Sequence, residues 1–366
     1  MISNLLAKSY ARTVIAALVA LVFAVVVTSI VLSISGFNPP STFQAMFDFG
    51  KEPDSVVNTV NRASAYYLSA LAVAIGFRMN LFNIGVDGQY RLAAMLAAAA
   101  GGAWALPAGL HQIVVIVVAA VVGGAWAGIA AILKVTRGVS EVISTIMLNF
   151  IGTGVIAFLL SPDRLAAKVA GSNNVGTKPI GSSGRVPGIS YPGSDLKIYG
   201  LVLLAVLAGL GFWFVINRTR FGFDLRATGL SESAAVASGV DAKRMVVIAM
   251  VLSGAVAGLV GMPQLLGGSY SYSLDFPTGI GFTGIGIALL GRNNPVGIAF
   301  ASLLWAFLDQ SSQILEFNDI PKEIVAITQA AVLLSVVVVY EIVNRVGRRM
   351  DQRRVAAELG EVGVAA

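Results

Sequence analysis

Three runs in this chain, Ile15 to Ile34, Ile113 to Leu133 and Ile324 to Tyr340, reach the range of about 17–25 apolar residues with which a helix crosses a hydrocarbon core of about 30 Å. Lipid offers no hydrogen-bond partner to a backbone. A spanning segment must therefore satisfy its own N–H and C=O groups, which leaves helices or closed barrels. Barrel strands alternate apolar and polar residues with a period of two, and these runs are continuous. The chain therefore reads as an all-α integral membrane protein. Its composition agrees: 366 residues, 56% hydrophobic and only 12% charged, with a mean hydropathy of +0.81, far from the usual soluble range. The first run is too long for a secretory leader and many more follow it, so it reads as a retained helix.

Other function classes are disfavoured by what the chain contains. It has no cysteine, which excludes disulfides and thiolate metal sites. Its single histidine, His111, is read as a helix-end residue, since one imidazole does not make a metal centre. The formal charge of +6 comes from basic residues that flank apolar runs, the pattern that holds loops in the cytoplasm, so nucleic acid is not expected as a partner. No GxxxxGK[ST] occurs: Gly50-Lys51 is followed by Glu52. HExxH is absent as well, and no catalytic residue is expected.

Hydropathy places spans near 13–33, 62–78, 84–100, 112–133, 141–160, 198–216, 245–265, 276–290, 294–312 and 323–343, about ten in all. The eighth, PTGIGFTGIGIALLG, is short and glycine-rich, as a broken or half-crossing helix would be. With the N-terminus inside, Arg78, Lys134, Arg137, Arg218, Arg220 and Arg226 fall on the cytoplasmic side together with the basic residues after 344. The outer side receives Lys51, Arg62 and the lysines and arginines of a long loop. Both termini are expected in the cytoplasm. An odd number of spans in each half would make any duplication a 5+5 inverted repeat, a common transporter plan with the solute path between the halves. The whole of 1–366 reads as one permease domain. Its external loops lie at 34–61 and 161–197, a cytoplasmic loop at 217–244 and a cytoplasmic tail at 344–366. The 161–197 loop, rich in Gly, Ser and Pro, is expected to be irregular with one short helix.

Between two apolar stretches lies NLFNIGVDGQYR, residues 80–91. An unpaired polar group in hydrocarbon costs several kcal/mol, so Asn80, Asn83, Asp87, Gln89 and Arg91 must meet protein, water or each other. Asp87 and Arg91 are four apart, share a helix face and are expected as a structural ion pair. Gly85 and Gly88 suggest an interruption where helix ends meet near a pathway. Asn80, Phe82, Asn83 and Gln89 are candidates for lining that pathway, and capping of helix ends is the alternative for the amides. Asn149, mid-span in IMLNF, is either interhelical glue or lining. Phe282 and Thr283 are further pathway candidates. Gly124 with Gly128, and Gly254 with Gly258, mark close helix packing, while Asp309 and Gln310 are placed toward an external mouth.

The cytoplasmic loop NRTRFGFDLRATGLSESAAVASGVDAKR contains a short helix punctuated at both ends. Ser231 caps it, Glu232 suits the positive end of its dipole, Ala234 and Ala235 favour helix, and Gly239 stops it. About two turns are marginal alone, so this helix must pack on something, either its own membrane domain or a partner protein.

These residues resemble the signature of permease subunits of ABC importers for nucleosides, simple sugars and branched-chain amino acids. The loop of that family carries FG, a basic residue, AxG and AAxxxGI, here Phe221, Gly222, Arg226, Ala227, Gly229, Ala234, Ala235 and Gly239, with Val240 for the isoleucine. NLFNIGVDGQ is similar to the family's NIGxEGQ, with Asp87 in place of Glu. EVISTIMLNFIG is similar to EVIxTxMLN, and GFTGIGIALLGRNNPVG to GFxGIAVALLGxxNPxG. An Asn that the family often carries before the two alanines is replaced by Leu230-Ser231.

The resemblance implies a type II-like importer subunit in a bacterial inner membrane, with nucleosides as cargo held by amides and aromatic faces. It implies a separate ATPase that binds ATP and Mg, docked at Gly229, Ser231, Glu232, Ala234, Ala235 and Gly239. A second permease, and an external substrate-binding protein or lipoprotein, complete the assembly. Such a subunit is itself no enzyme and binds no cofactor. Two rivals remain. An ion-coupled secondary transporter would use Asp87 or Asp309 as its coupling residue. A membrane scaffold would tolerate Asn83→Leu.

Overall fold

The computed structural model describes residues 9–168, 174–318, 320–321 and 323–335, and the single positions 338, 342, 345 and 346. Most of these residues are helical. The chain runs through α1 (Ser9–Ile34), α2 (Pro39–Gly50), α3 (Pro53–Phe77), α4 (Val86–Ala103), α5 (Leu110–Arg137) and α6 (Glu141–Leu159). It continues through α7 (Val202–Arg218), α8 (Arg220–Leu230), α9 (Glu232–Ala237), α10 (Ala242–Gly258) and α11 (Met262–Gln264), which leads into a π turn, Leu265–Ser269. The remaining helices are α12 (Ile280–Leu290), α13 (Pro295–Ser311), α14 (Gln313–Phe317) and α15 (Glu323–Ser335).

Among the described residues, three helical runs are long and apolar enough to cross a membrane: Leu110–Arg137, Glu141–Leu159 and Ala242–Ser269. Two bent pairs bring the number up to five. Leu21–Ile34 turns by 115° into Pro39–Gly50, and α7 turns by 72° into α8.

The chain divides into two compact bodies, Met1–Gly50 with Leu308–Ala366, and Lys51–Phe307. In the first, Leu32, Met46, Leu315, Ile320, Ile324 and Val325 form a buried cluster, and the Thr28 hydroxyl donates to Thr328 Oγ1 at 3.1 Å. Gln310, buried here, exchanges amide hydrogen bonds with Gln313 at 3.3 and 3.4 Å, and Asp309 is also engaged.

In the second body, α5 and α10 cross almost backbone to backbone. A Cβ on Gly258 would lie 2.1 Å from the Ala119 carbonyl oxygen, and one on Gly123 2.3 Å from that of Gly254. Small residues permit that approach, and in lipid, where water supplies no drive between helices, close packing is what holds them. Gly123 is tighter than the expected Gly128, whose nearest neighbour would be a Val251 methyl at 3.4 Å. α4 packs on α5 and α6, and α12 lies along α3.

The described part of residues 161–197 is mostly irregular, as expected, with one short 3-10 helix at Ser182–Gly184, and it adds two antiparallel ribbons that the sequence did not announce, β1 (Ala166–Lys168) with β2 (Val175–Thr177) and β3 (Ile189–Ser190) with β4 (Lys197–Ile198). The first ribbon pairs Ala166 with Thr177 and is anchored where Thr177 N–H donates to Tyr272 O at 2.8 Å and Tyr272 N–H to Thr177 Oγ1 at 3.1 Å. A ribbon meets its backbone needs by pairing, and Gly, Ser and Pro at the turns do not oppose that. Residues 34–61, expected as a loop, hold α2 and the first turns of α3, which Pro53 opens at the position where its missing N–H costs nothing. The tail 344–366, apart from residues 345 and 346, lies outside the described residues.

Candidate functional site

The chain leaves helix at Phe77 and resumes it at Val86, so the backbone of 78–85 has no ladder of its own, and its donors need other partners if the segment is buried. Four of them fold back on α3: Arg78 N–H to Ala74 O, Met79 N–H to Gly76 O, Asn80 N–H to Phe77 O and Leu81 N–H to Gly76 O, at 2.9 to 3.2 Å. Others cross to α6. Phe82 N–H points at Glu141 Oε1 at 3.5 Å, and Ile84 N–H at Thr145 Oγ1 at 3.3 Å. Gly88 N–H, an otherwise unpaired donor at the start of α4, reaches Asn149 Oδ1 at 2.8 Å, while Asn149 Nδ2 donates to Ile84 O at 2.9 Å. One turn further along, Arg91 Nη1 donates to Thr153 Oγ1 at 3.1 Å.

Glu141, Thr145, Asn149 and Thr153 are spaced by four, so they lie on one face of α6. Together they act as a polar ladder that takes the place of the missing helical hydrogen bonds. Sequence reasoning singled out Asn149 and missed the other three. The signal was present as a polar residue at every fourth position of an apolar helix.

The expected pathway amides are equally committed. Asn83 and Gln89, each 1% exposed, pair reciprocally: Asn83 Nδ2 donates to Gln89 Oε1 at 3.0 Å, and Gln89 Nε2 to Asn83 Oδ1 at 2.8 Å. Asn83 also accepts from Gly85 N–H at 3.1 Å and donates to Ser253 Oγ on α10 at 2.8 Å, and the Ser253 hydroxyl donates to Ala72 O on α3 at 2.6 Å. This knot joins α3, α4 and α10 at the break.

Phe82 and Phe282 are about half exposed, with Phe82 edge-on to Phe77 at 5.1 Å. Thr283 is half-buried and donates to Gly279 O at 3.2 Å. Asn80 is exposed, with a left-handed φ of 57°.

Asp87 lies where two helix N-termini meet. Its own helix, α4, begins at Val86, and the first turn of α12 packs against it so closely that a Cβ on Gly281 would be 2.2 Å from Asp87 N. Asp87 Oδ1 accepts from Gly281 N–H at 3.2 Å, and Gly279 N–H is also directed at the carboxylate. A carboxylate between two positive dipole ends offsets both. The expected pair with Arg91 is long, 3.9 Å, so the α12 contact is the closer of the two. Tyr90 braces the junction by donating to Pro277 O at 2.6 Å.

His111 sits at the start of α5, 1% exposed. Its Nε2 is 3.0 Å from Gly101 O and its Nδ1 2.9 Å from Ser183 Oγ. A carbonyl only accepts, so Nε2 donates to Gly101 O.

The residues expected to meet an ATPase form one unit around α8 and α9. Thr219 caps α8 by accepting from Gly222 N–H at 3.1 Å. Ser231 ends α8 and caps α9, accepting from Ala234 N–H at 3.3 Å. Gly239, at φ 84°, closes α9. Ala235 is buried at 4% exposure and anchors this short helix to its own chain. Ser231, Glu232 and Ala234 are exposed. So are two apolar side chains, Leu230 at 89%, noted in the sequence only as a departure from the family pattern, and Val236 at 54%. Gly229 packs on the turn after α3, with a would-be Cβ 2.6 Å from Arg78 O.

A family model described as the permease component of branched-chain amino acid transport systems matches residues 55–339. The chain is 32% identical over 329 residues to the guanosine ABC transporter permease protein of Bacillus subtilis (strain 168), covering 89% of this chain and 93% of that one. It is 31% identical over 341 residues to a nucleoside ABC transporter permease protein of Lactococcus lactis subsp. cremoris, covering 89% and 91%. A glucose ABC transporter permease protein of Haloferax volcanii is 30% identical over 285 residues, covering 75% and 73%. No solved structure matches the chain.

Proposed function

Because this chain belongs to the permease-component family of branched-chain amino acid transport systems, we propose that it is the membrane subunit of an ATP-driven importer whose cargo is a nucleoside. The observation that carries the cargo is the end-to-end likeness to two permeases named for guanosine and nucleosides. Glucose is the second reading, favoured by the archaeal relative.

The subunit sits in a bacterial inner membrane, with about ten spans arranged as a 5+5 inverted repeat. Its termini and the 217–244 loop face the cytoplasm, and 34–61 and 161–197 face outward. It pairs with a second permease chain and receives cargo from an external binding protein. ATP and Mg bind to a separate ATPase, which docks on α9 and its flanks. Support for that dock is the exposure of Leu230 and Val236 beside Ser231, Glu232 and Ala234, since exposed apolar side chains at a capped, well-held helix suit a partner surface. Phe82, Phe282 and Thr283 face the solute path, where aromatic faces and a hydroxyl suit a base and a ribose, while the Asn80 amide is spent on Gly229 O. Asn83, Gln89 and Asn149 keep the broken backbone in shape behind them, and Asp87 with Arg91 is a structural pair.

The test is purification from native membranes in mild detergent, comparing wild type with Leu230→Glu, followed by uptake of radiolabelled guanosine and glucose. Wild type is expected to retain an ATPase and to take up guanosine; Leu230→Glu is expected to lose both while eluting as a folded chain. A wild-type chain that purifies alone and transports in an ion-dependent way overturns the reading in favour of a secondary transporter. Uptake of glucose alone overturns the cargo.

A further inference from the structure

The turn between α3 and the break touches two elements far away in sequence. On one side, Asn80 Nδ2 donates to Gly229 O at 3.3 Å, and Gly229 lies against Arg78 and Met79 so tightly that its missing Cβ would fall 2.6 and 2.8 Å from their backbone atoms. Gly229 is the penultimate residue of α8, directly before the exposed Leu230 and the cap of α9. On the other side, Arg78 Nη2 donates to Asn293 O at 2.6 Å, just past the end of α12, where Asn293 N–H closes on Ala288 O at 2.9 Å. A guanidinium on the last carbonyls of a helix satisfies acceptors that have no partner of their own and suits the negative end of the dipole.

The same short segment thus grips α12 at both ends, Arg78 at its C-terminus and Asp87 at its N-terminus, each with the charge the dipole favours. α12 has eleven residues, or about 16 Å at 1.5 Å per residue. It is short enough to move as one rigid piece.

The joint at the C-terminal end is under-satisfied. Arg78 Nε and Asn293 Oδ1 are both buried without a partner, although a buried donor or acceptor is normally matched. Three residues of this joint, Asn80, Arg292 and Asn293, hold left-handed φ angles of 53° to 57° without being glycine, a conformation that asparagine tolerates and that for Arg292 persists only where the surroundings enforce it. A spare donor and a spare acceptor at one joint are what a second arrangement can pair.

We propose that Arg78 and Asn80 are positioning residues that hand movement of the ATPase-contact segment to α12, with Asn80 holding Gly229 and Arg78 holding the end of α12. The idea rests on the ATPase reading of α9. As the ATPases draw α9 and Gly229, the turn follows through Asn80, and α12, held by Arg78 and Asp87, shifts against α3 and α4, on which it packs. Opening or closing of the solute path then follows from the displacement of Phe282 and Thr283 on α12.

The experiment uses the transporter co-purified with its ATPase and reconstituted in liposomes, with ATP hydrolysis and radiolabelled guanosine uptake measured on one preparation. Asn80→Gly keeps the left-handed backbone and removes only the amide. Arg78→Gln removes the charge, and Arg78→Lys restores it without the fork. Each disruptive variant should keep the ATPase and its hydrolysis while lowering guanosine moved per ATP about fivefold, within the range for a lost coupling contact. Arg78→Lys should recover part of that loss. An unchanged ratio in both Asn80→Gly and Arg78→Gln overturns the proposal. So does loss of the ATPase from either variant, which would make these residues part of the dock. Wild type that retains no ATPase overturns instead the reading beneath it.

Discussion

Replacing Asn83 by leucine keeps the branched shape, with bulkier methyls, and removes every hydrogen bond the side chain makes, so the hydrogen-bonding part of its cost can be assembled group by group. Ser253 keeps its bond to Ala72 O and is not stranded. Left without partners are both ends of the Gln89 amide and the Gly85 N–H, all buried. Each such group costs about 1–3 kcal/mol, and partial relaxation of the Gln89 side chain brings the expected total to about 3 kcal/mol. Gln89→Met alone is milder, about 1 kcal/mol, because Asn83 retains Ser253 and Gly85. The double variant Asn83→Leu/Gln89→Met strands only Gly85 N–H, so it should cost about 1–2 kcal/mol, less than Asn83→Leu by itself. The knot is therefore tested by the sign of non-additivity, a coupling of about 2 kcal/mol. Unfolding of the purified chain in mixed micelles of rising sodium dodecyl sulfate, followed by tryptophan fluorescence, supplies the four free energies of the cycle. A double variant that costs the sum of the singles, or an Asn83→Leu as stable as wild type, refutes the account and returns these amides to the list of free pathway groups.

Three further outcomes follow from the packing. Gly258→Val should destabilise the α5–α10 crossing by at least the roughly 1–3 kcal/mol typical of overpacking, because its Cβ would lie 2.1 Å from a backbone oxygen. Gly128→Val, whose neighbour is a valine methyl at 3.4 Å, should cost well under half as much in the same unfolding assay. Asp87→Asn keeps an acceptor for Gly281 N–H and loses the charge at two helix N-termini, an expected loss of about 1–2 kcal/mol; Asp87→Ala loses the acceptor as well and should fall about 1–3 kcal/mol lower. Equal losses for the two variants would show that the hydrogen bond to α12 carries no stability. Ala235→Arg should lower stability by unseating α9 before any partner is involved, since that methyl is buried. Val236→Arg, on an exposed position of the same helix, should leave the melt unchanged, and equal melting losses for the two would contradict the orientation of α9.

The class of the chain and much of its punctuation were legible in the sequence, because apolar partition and capping act over a few residues. Continuous apolar runs exclude strands, Ser231 and Gly239 bracket α9, and the glycines and polar groups of 80–91 announce a break in helix. What each polar group does there depends on which distant element arrives beside it. Asn83 and Gln89 read equally well as solute contacts or as structural groups until Ser253, 170 residues away, closes the knot. Glu141, Thr145 and Thr153 are unremarkable members of an apolar helix until the broken backbone of 82–91 is laid along them. α9 holds three alanines and a single valine beside Glu232 and Ser233, so composition assigns no buried face; packing selects Ala235 and leaves Val236, like Leu230 at the end of α8, outside. The grip of Arg78 and Asp87 on the two ends of α12, across 215 and 194 residues, has no local signature at all. Transfer from water and helix capping are properties of a residue and its near neighbours, whereas the pairing of buried donors with acceptors is a property of where the whole chain goes. The sequence by itself therefore determined the helices and where they fail, and only the tertiary structure decided what holds the failures together.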